Sequence, residues 1–307
     1  MNTKRDLLPW STLLYVVIVL ASLPMTARAG GALPTAFDPG LAMIIAQVGT
    51  ILLPTLIFLA LVREPAREML NLRRLDPGSA FKSFLVGLMC WPMFAFLSSL
   101  AMILIGLLHP AVPGSSTSLT TQSGSPWLLF LGVVLVAPLC EEMLFRGVLL
   151  SIYQRRFAAH AIWLVGILFA FLHPSLDQAL GALFFGMVGG WLVYRTRSLW
   201  AGVLAHVGLN LIGGALILLT SLAGPGALEG AAQTGDAGAM VWVGALVWAV
   251  IGLVMLVPVF LLLRSIARRH AAPEPAAVGL SLKAVWAPAG AVIGVVGYTI
   301  YDLLQGV

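Results

Sequence analysis

Charged residues are scarce in this sequence. Asp, Glu, Lys and Arg make up 9% of the 307 residues, whereas soluble domains carry about 25%. So low a charge excludes a disordered protein, a nucleic-acid binder built on basic patches and a two-domain cytosolic enzyme. Cysteine is also rare: Cys90 and Cys140 both lie in apolar runs, so no disulfide framework is expected. Hydrophobic residues make up 60% of the chain, and the composition therefore predicts a polytopic membrane protein.

Nine apolar segments are candidate membrane spans, and the fifth and sixth of them are short. A span needs about 20 mostly apolar residues, and its backbone polar groups must pair within the segment, which favours helices. The segments are 11–28, 41–62, 84–108, 127–153, 158–173, 178–194, 199–221, 239–263 and 284–304. The sequence therefore predicts an all-α fold, a polytopic transmembrane bundle of eight or nine helices.

The basic residues are distributed unevenly among the connections between these spans. If consecutive spans cross in alternate directions, 15 of the 17 Lys and Arg residues fall on one side, and the opposite connections 30–40, 109–126 and 222–238 contain none. By the positive-inside rule the basic side is cytoplasmic. Topology thus explains the net charge of +5. We expect a multi-pass protein of the cell (inner) membrane, surrounded by the lipid bilayer and without a nucleic-acid partner.

The pattern of spans divides the chain into four parts. Residues 1–29 are either a first transmembrane helix or a cleaved signal peptide, because an Ala-x-Ala cleavage site follows their apolar stretch. Residues 30–124 hold the second and third spans. Within them the segment 63–82 mixes charges with leucines and is expected to form an amphipathic interfacial helix. Residues 125–221 form a helical core, and residues 222–307 hold the last two spans.

Ionisable and amide side chains occur inside three of the predicted spans. A charged group in the bilayer core costs about 2.5–3.5 kcal/mol on insertion scales, so such residues are rare and mark functional sites. The six residues are Glu141, Glu142 and Arg146 in the fourth span, His173 in the fifth, and His206 and Asn210 in the seventh. At about 1.5 Å per residue they lie roughly 10–24 Å from the cytoplasmic ends of their helices. The sequence therefore predicts an intramembrane polar cavity.

Helical spacing assigns different positions to these side chains. Glu142 and Arg146 are four residues apart, so they share a helix face and are expected to form a buried ion pair. Glu141 is rotated from Glu142 by about 100° and is left to face the cavity, where it is a candidate general base. His206 and Asn210 are also four apart and present two polar tips on one face.

Three short motifs in these helices resemble a known family. They are Glu141-Glu142-x-x-x-Arg146, Phe169-x-x-x-His173 and His206-x-x-x-Asn210. In this order, in three hydrophobic helices, they resemble the CPBP family of intramembrane proteases. That family, also called the ABI family, comprises the CAAX prenyl endopeptidases and their bacteriocin-processing and immunity relatives. The resemblance covers roughly residues 125–215, and it makes the part 125–221 a CPBP-like catalytic core.

The resemblance implies a CAAX-type intramembrane endopeptidase acting on a membrane-embedded or lipidated protein substrate. It implies a helical bundle with a conical cavity that opens towards the cytoplasm and the lipid. Glu141 would activate the hydrolytic water with help from His173, and His206 and Asn210 would stabilise the oxyanion. The second glutamate and the arginine of the first motif would form a supporting pair. No cofactor is expected in this mechanism.

A zinc-dependent version of the same protease is an alternative. Glu141, His173 and His206 would then be the ligands, with one position left for water. The sequence contains no H-E-x-x-H motif, and the amide of Asn210 is a poor zinc ligand. The metal-free glutamate mechanism is therefore favoured.

Two alternatives from other functional classes remain open. A proton-coupled transporter would also place Glu and His inside the membrane, but it predicts polar residues leading to both faces. A non-catalytic immunity or scaffold protein would keep the fold and bind a partner. The intact set of site residues argues against this second alternative without proving turnover.

Overall fold

The computed structural model describes residues 6–29, 38–108, 124–173, 176–223 and 237–271. Its main elements are eight helices: α1 (Leu8–Ala29), α2 (Pro39–Val62), α3 (Pro77–Leu108), α4 (126–157), α5 (Ala161–Leu172), α6 (Ala179–Thr196), α7 (Leu199–Ala223) and α8 (Ala237–Arg269). Within these ranges the chain has no strand, only an isolated bridge between Leu72 and Ser198.

Six helical runs in these ranges are long and apolar enough to cross a membrane. They contain α2 to α8, while the apolar part of α1, Leu8–Ser22, is shorter. The predicted all-α polytopic bundle is thus confirmed. The ninth candidate span, 284–304, lies outside the described residues.

The fourth and fifth predicted spans form a helical hairpin. Helix α4 ends where Ala158 adopts a positive φ of 49°, and a short 3₁₀ turn leads into α5. Phe145 and Phe169 are 24 residues apart, yet their ring centroids lie 5.1 Å apart. A straight helix would separate them by about 36 Å. Helix α5 therefore folds back against α4.

Helices α2 and α4 run side by side in the same direction and are joined at both ends. At their beginnings, Asp38 caps α2 and its carboxylate also accepts from the backbone N–H of Ser125, the cap of α4. At their ends, Arg155 donates two hydrogen bonds to Glu64, at 3.0 and 2.6 Å. This double connection fixes the register of one helix against the other.

Both helices contain π-helical segments near the predicted site, and such segments are frequent at functional sites. They are Gln47–Leu52 in α2, and Gly132–Val136 and Met143–Leu149 in α4. Pro54 and Pro138 lie two residues after the ends of the first two segments, and a proline has no N–H for the i−4 carbonyl. Glu141 and Glu142 are the last two residues of the α-helical link Ala137–Glu142 between the two segments of α4.

The predicted amphipathic helix over 63–82 is wrong in its extent. The structure has one helical turn there, Ala66–Met69, and then the first residues of α3 from Pro77 onwards, with residues 70–76 between them outside any helix. Asn71 then adopts a positive φ of 50°, and its carbonyl accepts from the N–H of Leu199 at 3.0 Å. Leu72 pairs with Ser198, so long-range backbone pairing replaces local helix formation.

The beginning of α3 is tied to the end of α8. Asp76 accepts a hydrogen bond from the N–H of Ser79 at 2.9 Å and pairs with Arg269 at 3.2 Å. Hydrogen bonds from Ser79, followed by the charges of Arg269 and His270, lower the pKa of Asp76 to about 2. The carboxylate therefore stays ionised and keeps the two helix ends together.

Helix α1 packs against α4 and α5 through buried polar groups. Tyr15 is fully buried, and its hydroxyl donates to the carbonyl of Leu168 at 2.9 Å. Thr12 and Tyr153 share a hydrogen bond of 3.1 Å. The choice between a transmembrane helix and a signal peptide for residues 1–29 stays a prediction.

Candidate active site

Four of the six predicted site residues meet in one buried cluster. Glu141, Glu142 and Arg146 come from α4, and His206 comes from α7. Each of the four residues is at most 6% exposed. Because these groups are surrounded by apolar helices, their charges must be balanced by one another rather than by water.

Glu142 lies at the centre of this cluster. Its Oε1 is 2.9 Å from Nη1 of Arg146 and 3.0 Å from Nδ1 of His206. The first contact has the i,i+4 spacing seen in the sequence, whereas the second joins residues 64 positions apart. Glu142 therefore connects the ion pair of α4 to the imidazole of α7.

A glycine makes room for the Glu142 carboxylate. A Cβ added at Gly202 in α7 would overlap Oε2 of Glu142 and lie 2.8 Å from Cγ2 of Val193. No side chain larger than hydrogen fits between α7 and the carboxylate. The sequence gives little signal for this position, because small residues are common wherever membrane helices pack closely.

Phe169 of α5 provides an aromatic surface for the cluster. The guanidinium carbon of Arg146 lies 4.3 Å from the centroid of its ring, in cation–π distance. The same ring contacts His206 and His173, with centroid distances of 5.7 and 4.9 Å. The hairpin of α4 and α5 is thus what places His173 near the cluster.

Glu141 contacts one predicted and one unpredicted residue. Its Oε2 lies 4.0 Å from Nε2 of His206, and its Oε1 accepts a hydrogen bond from Nε2 of Gln47 at 3.1 Å. Gln47 belongs to α2, far from the three motifs in sequence. The sequence offered one signal for Gln47: it is the only residue with an amide side chain in the apolar run 41–62.

His173 and Asn210 have other partners. Nδ1 of His173 lies 3.0 Å from the carbonyl of Phe169, so this nitrogen carries a proton and a neutral ring keeps Nε2 as an acceptor. The amide of Asn210 donates to the carbonyl of Val133 at 2.8 Å. Neither side chain makes a hydrogen bond or ion pair with Glu141 in the part of the chain that the structure describes. The structure thus brings four predicted residues into contact and leaves His173 and Asn210 at the edge of that cluster.

The zinc alternative involves three of the same side chains. Within the ranges that the structure covers, no three His, Cys, Asp or Glu side chains come together as a group that could hold a metal ion. In this arrangement Glu141, His173 and His206 do not form such a group, and the metal dependence of the protein stays a prediction.

Comparison with known protein families gives a match to part of the chain. Residues 123–212 match the family described as type II CAAX prenyl endopeptidase Rce1-like. The matched segment is less than a third of the chain, contains all six predicted site residues and excludes Gln47. No curated protein and no solved structure matches the chain. The resemblance to the CPBP proteases is confirmed over this segment, and at the level of the family it indicates a membrane-bound hydrolase.

Proposed function

Because residues 123–212 carry the sequence of an intramembrane CAAX-type protease family, we propose that this protein is an endopeptidase that hydrolyses membrane-associated or lipidated protein substrates. One observation above all supports the proposal. A glutamate, Glu141, lies buried beside an imidazole that a second carboxylate orients. A general base next to an oriented hydrogen-bond donor is what peptide hydrolysis requires.

Glu141 acts first, as the general base. Its carboxylate takes a proton from a water molecule while the water oxygen attacks the carbonyl carbon of the scissile peptide bond. His173 assists through Nε2, which accepts the second O–H of the water, because its Nδ1 is engaged with the carbonyl of Phe169. The product of this step is a tetrahedral intermediate with a negative oxygen.

His206 stabilises that negative oxygen. When its ring carries two protons, Nδ1–H donates to Glu142 and Nε2–H is directed to the site beside Glu141. In this form the two glutamates, Arg146 and His206 sum to zero net charge, which suits a site inside a membrane. The donor is held in place before the charge develops, and such preorganised donors are worth about 10²–10³ in rate.

Asn210 supplies a second donor to the oxyanion. Its amide has two N–H groups, and one of them donates to the carbonyl of Val133. That bond anchors the amide and leaves the other N–H for the intermediate. Asn210 follows His206 by one helical turn, so both side chains lie on the same face of α7.

The intermediate then breaks down. The C–N bond cleaves, the proton held by Glu141 passes to the leaving nitrogen, and the products are a carboxylic acid and an amine. Glu142 and Arg146 touch neither product in this scheme. They hold His206 in position and balance its charge, which is a supporting role.

The orientation of the protein in the membrane is part of the proposal. Contacts between Arg155 and Glu64, and between Arg269 and Asp76, lie at the ends of helices where the basic residues gather. By the positive-inside rule this end faces the cytoplasm. We therefore expect cleavage of substrates that reach the site from the cytoplasmic half of the bilayer.

The test is cleavage by the purified protein in lipid nanodiscs. A CAAX peptide with a farnesyl group and the same peptide without it are incubated with wild type and with Glu141→Ala, and the products are identified by mass spectrometry. Comparative proteomics of membranes from cells expressing the two forms extends the search to natural substrates. Products that require Glu141 support the proposal. A folded wild type that cleaves nothing in either experiment contradicts it and favours a scaffold or transporter.

A further inference from the structure

Gln47 contacts the proposed base from outside the family segment. Its Nε2 donates to Oε1 of Glu141 at 3.1 Å. The other carboxylate oxygen of Glu141, Oε2, faces Nε2 of His206. The two oxygens thus have two different neighbours, one from α2 and one from α7.

The orientation of the Gln47 amide follows from its chemistry. An ionised carboxylate only accepts hydrogen bonds, so the NH₂ group must face Glu141; the flipped amide would set two acceptors against each other. The amide oxygen Oε1 of Gln47 is buried without a hydrogen-bond partner. Leaving a buried acceptor unpaired is costly. The contact with Glu141 therefore determines the orientation of the amide and leaves the amide oxygen without a hydrogen-bond partner.

The fold holds Gln47 at this distance. It is the first residue of the π-helical segment of α2. Helix α2 is joined to α4 at Asp38 with Ser125 and at Glu64 with Arg155. Sliding or rotation of α2 against α4 would break these end contacts, so the amide keeps its place beside Glu141.

From this geometry we infer that Gln47 is a positioning residue of the proposed peptidase. It fixes the rotamer of the Glu141 carboxylate, so that one oxygen is held and the other stays directed to the water and to His206. This inference rests on the proposed function. It extends the active site to α2, which carries none of the three motifs and lies outside the matched segment.

The test compares Gln47→Met with Thr50→Val in the nanodisc cleavage assay. Methionine keeps the length of glutamine but cannot donate to Glu141. Thr50 lies in the same π-helical segment, and its hydroxyl donates to the carbonyl of Ala46 in its own helix, at 2.8 Å. A misplacement of about 1 Å at a reacting group can cost about 100-fold. We expect Gln47→Met to lower kcat about 10–100-fold with KM changed less than about twofold, and Thr50→Val to leave both near wild type.

The outcomes separate this inference from the proposed function. If wild type cleaves and Gln47→Met is equally active, the inference fails and the function stands. A rise in KM alone would make Gln47 a substrate contact and also overturn the inference. If the wild type cleaves nothing, both fail.

A second measurement does not depend on activity. The melting temperatures of Gln47→Met, Glu141→Met and the double variant form a cycle that reports on the contact itself. Coupled residues give effects that do not add, which is the expected result. Additive effects would show that Gln47 and Glu141 stabilise the fold independently, and they would contradict the inference.

Discussion

Nδ1 of His206 lies 3.0 Å from Oε1 of Glu142, although the two residues are 64 positions apart. The same oxygen is 2.9 Å from Arg146. Glu142 is therefore the shared partner of one cation, in an ion pair, and of one imidazole, in a hydrogen bond. Because both contacts use the same oxygen, a change in the ion pair on α4 alters the hydrogen bond that holds His206 on α7. The supporting pair and the proposed oxyanion donor therefore act together.

The first prediction concerns Glu141. Glu141→Gln keeps the size of the side chain and removes the base, so proteolysis should fall at least 100-fold, within the range known for general base catalysis. The melting temperature should stay close to that of wild type. Glu68→Gln is the matched control, because Glu68 is exposed in the short turn Ala66–Met69, and it should leave activity unchanged. Undiminished cleavage by purified Glu141→Gln would refute its role as the base.

The second prediction concerns the ion pair. Glu142 and Arg146 are both 0% exposed, so Arg146→Ala leaves an uncompensated buried charge and should cost about 3–5 kcal/mol of stability. Thermal unfolding measures this loss, and activity should fall with it. A variant with wild-type stability and no activity would instead place Arg146 in the chemistry.

A double variant separates charge balance from catalysis. Glu142→Met combined with Arg146→Met removes both charges, and replacing a buried pair by apolar residues of similar volume is often neutral for stability. The melting temperature should therefore recover relative to Arg146→Ala. Cleavage should not recover, because His206 has lost the carboxylate that holds Nδ1. Full recovery of both would show that the pair serves packing alone.

The third prediction concerns Gly202. Alanine there would overlap the carboxylate of Glu142 and lie 2.8 Å from Val193, so Gly202→Ala should displace that carboxylate and lower both stability and activity. Gly106→Ala is the control, since a Cβ at Gly106 in α3 meets nothing within 4 Å. That variant should be neutral or slightly stabilising, because alanine favours helix by about 1 kcal/mol over glycine. Equal behaviour of the two variants would contradict the close approach of α7 to Glu142.

The fourth prediction concerns metal dependence. We expect cleavage to persist after exhaustive treatment with chelators, and elemental analysis of the active protein to give far less than one metal per chain. The reason is that His173, His206 and Glu141 do not converge into a ligand set in the part of the chain that the structure describes. Stoichiometric zinc whose removal and return track activity would overturn the metal-free mechanism.

The sequence by itself determined the helical membrane fold. Lipid offers no partner for backbone polar groups, so long apolar runs such as 41–62 and 199–221 have to be helices. It also identified the contact between Glu142 and Arg146, because residues four apart on a helix are neighbours whatever the tertiary structure. The three motifs gave the family resemblance, which depends only on residue types and their order.

Tertiary structure decided the contacts between helices, which spacing along one helix cannot determine. The contacts of Glu142 with His206 and of Glu141 with Gln47 depend on how α7 and α2 are rotated and shifted against α4, and no periodicity within one segment fixes these angles. The segment 63–82 is a further case, since pairing of Leu72 with Ser198 overrode its helical pattern. Local spacing determines which groups share a face, whereas packing between helices determines which groups meet across it.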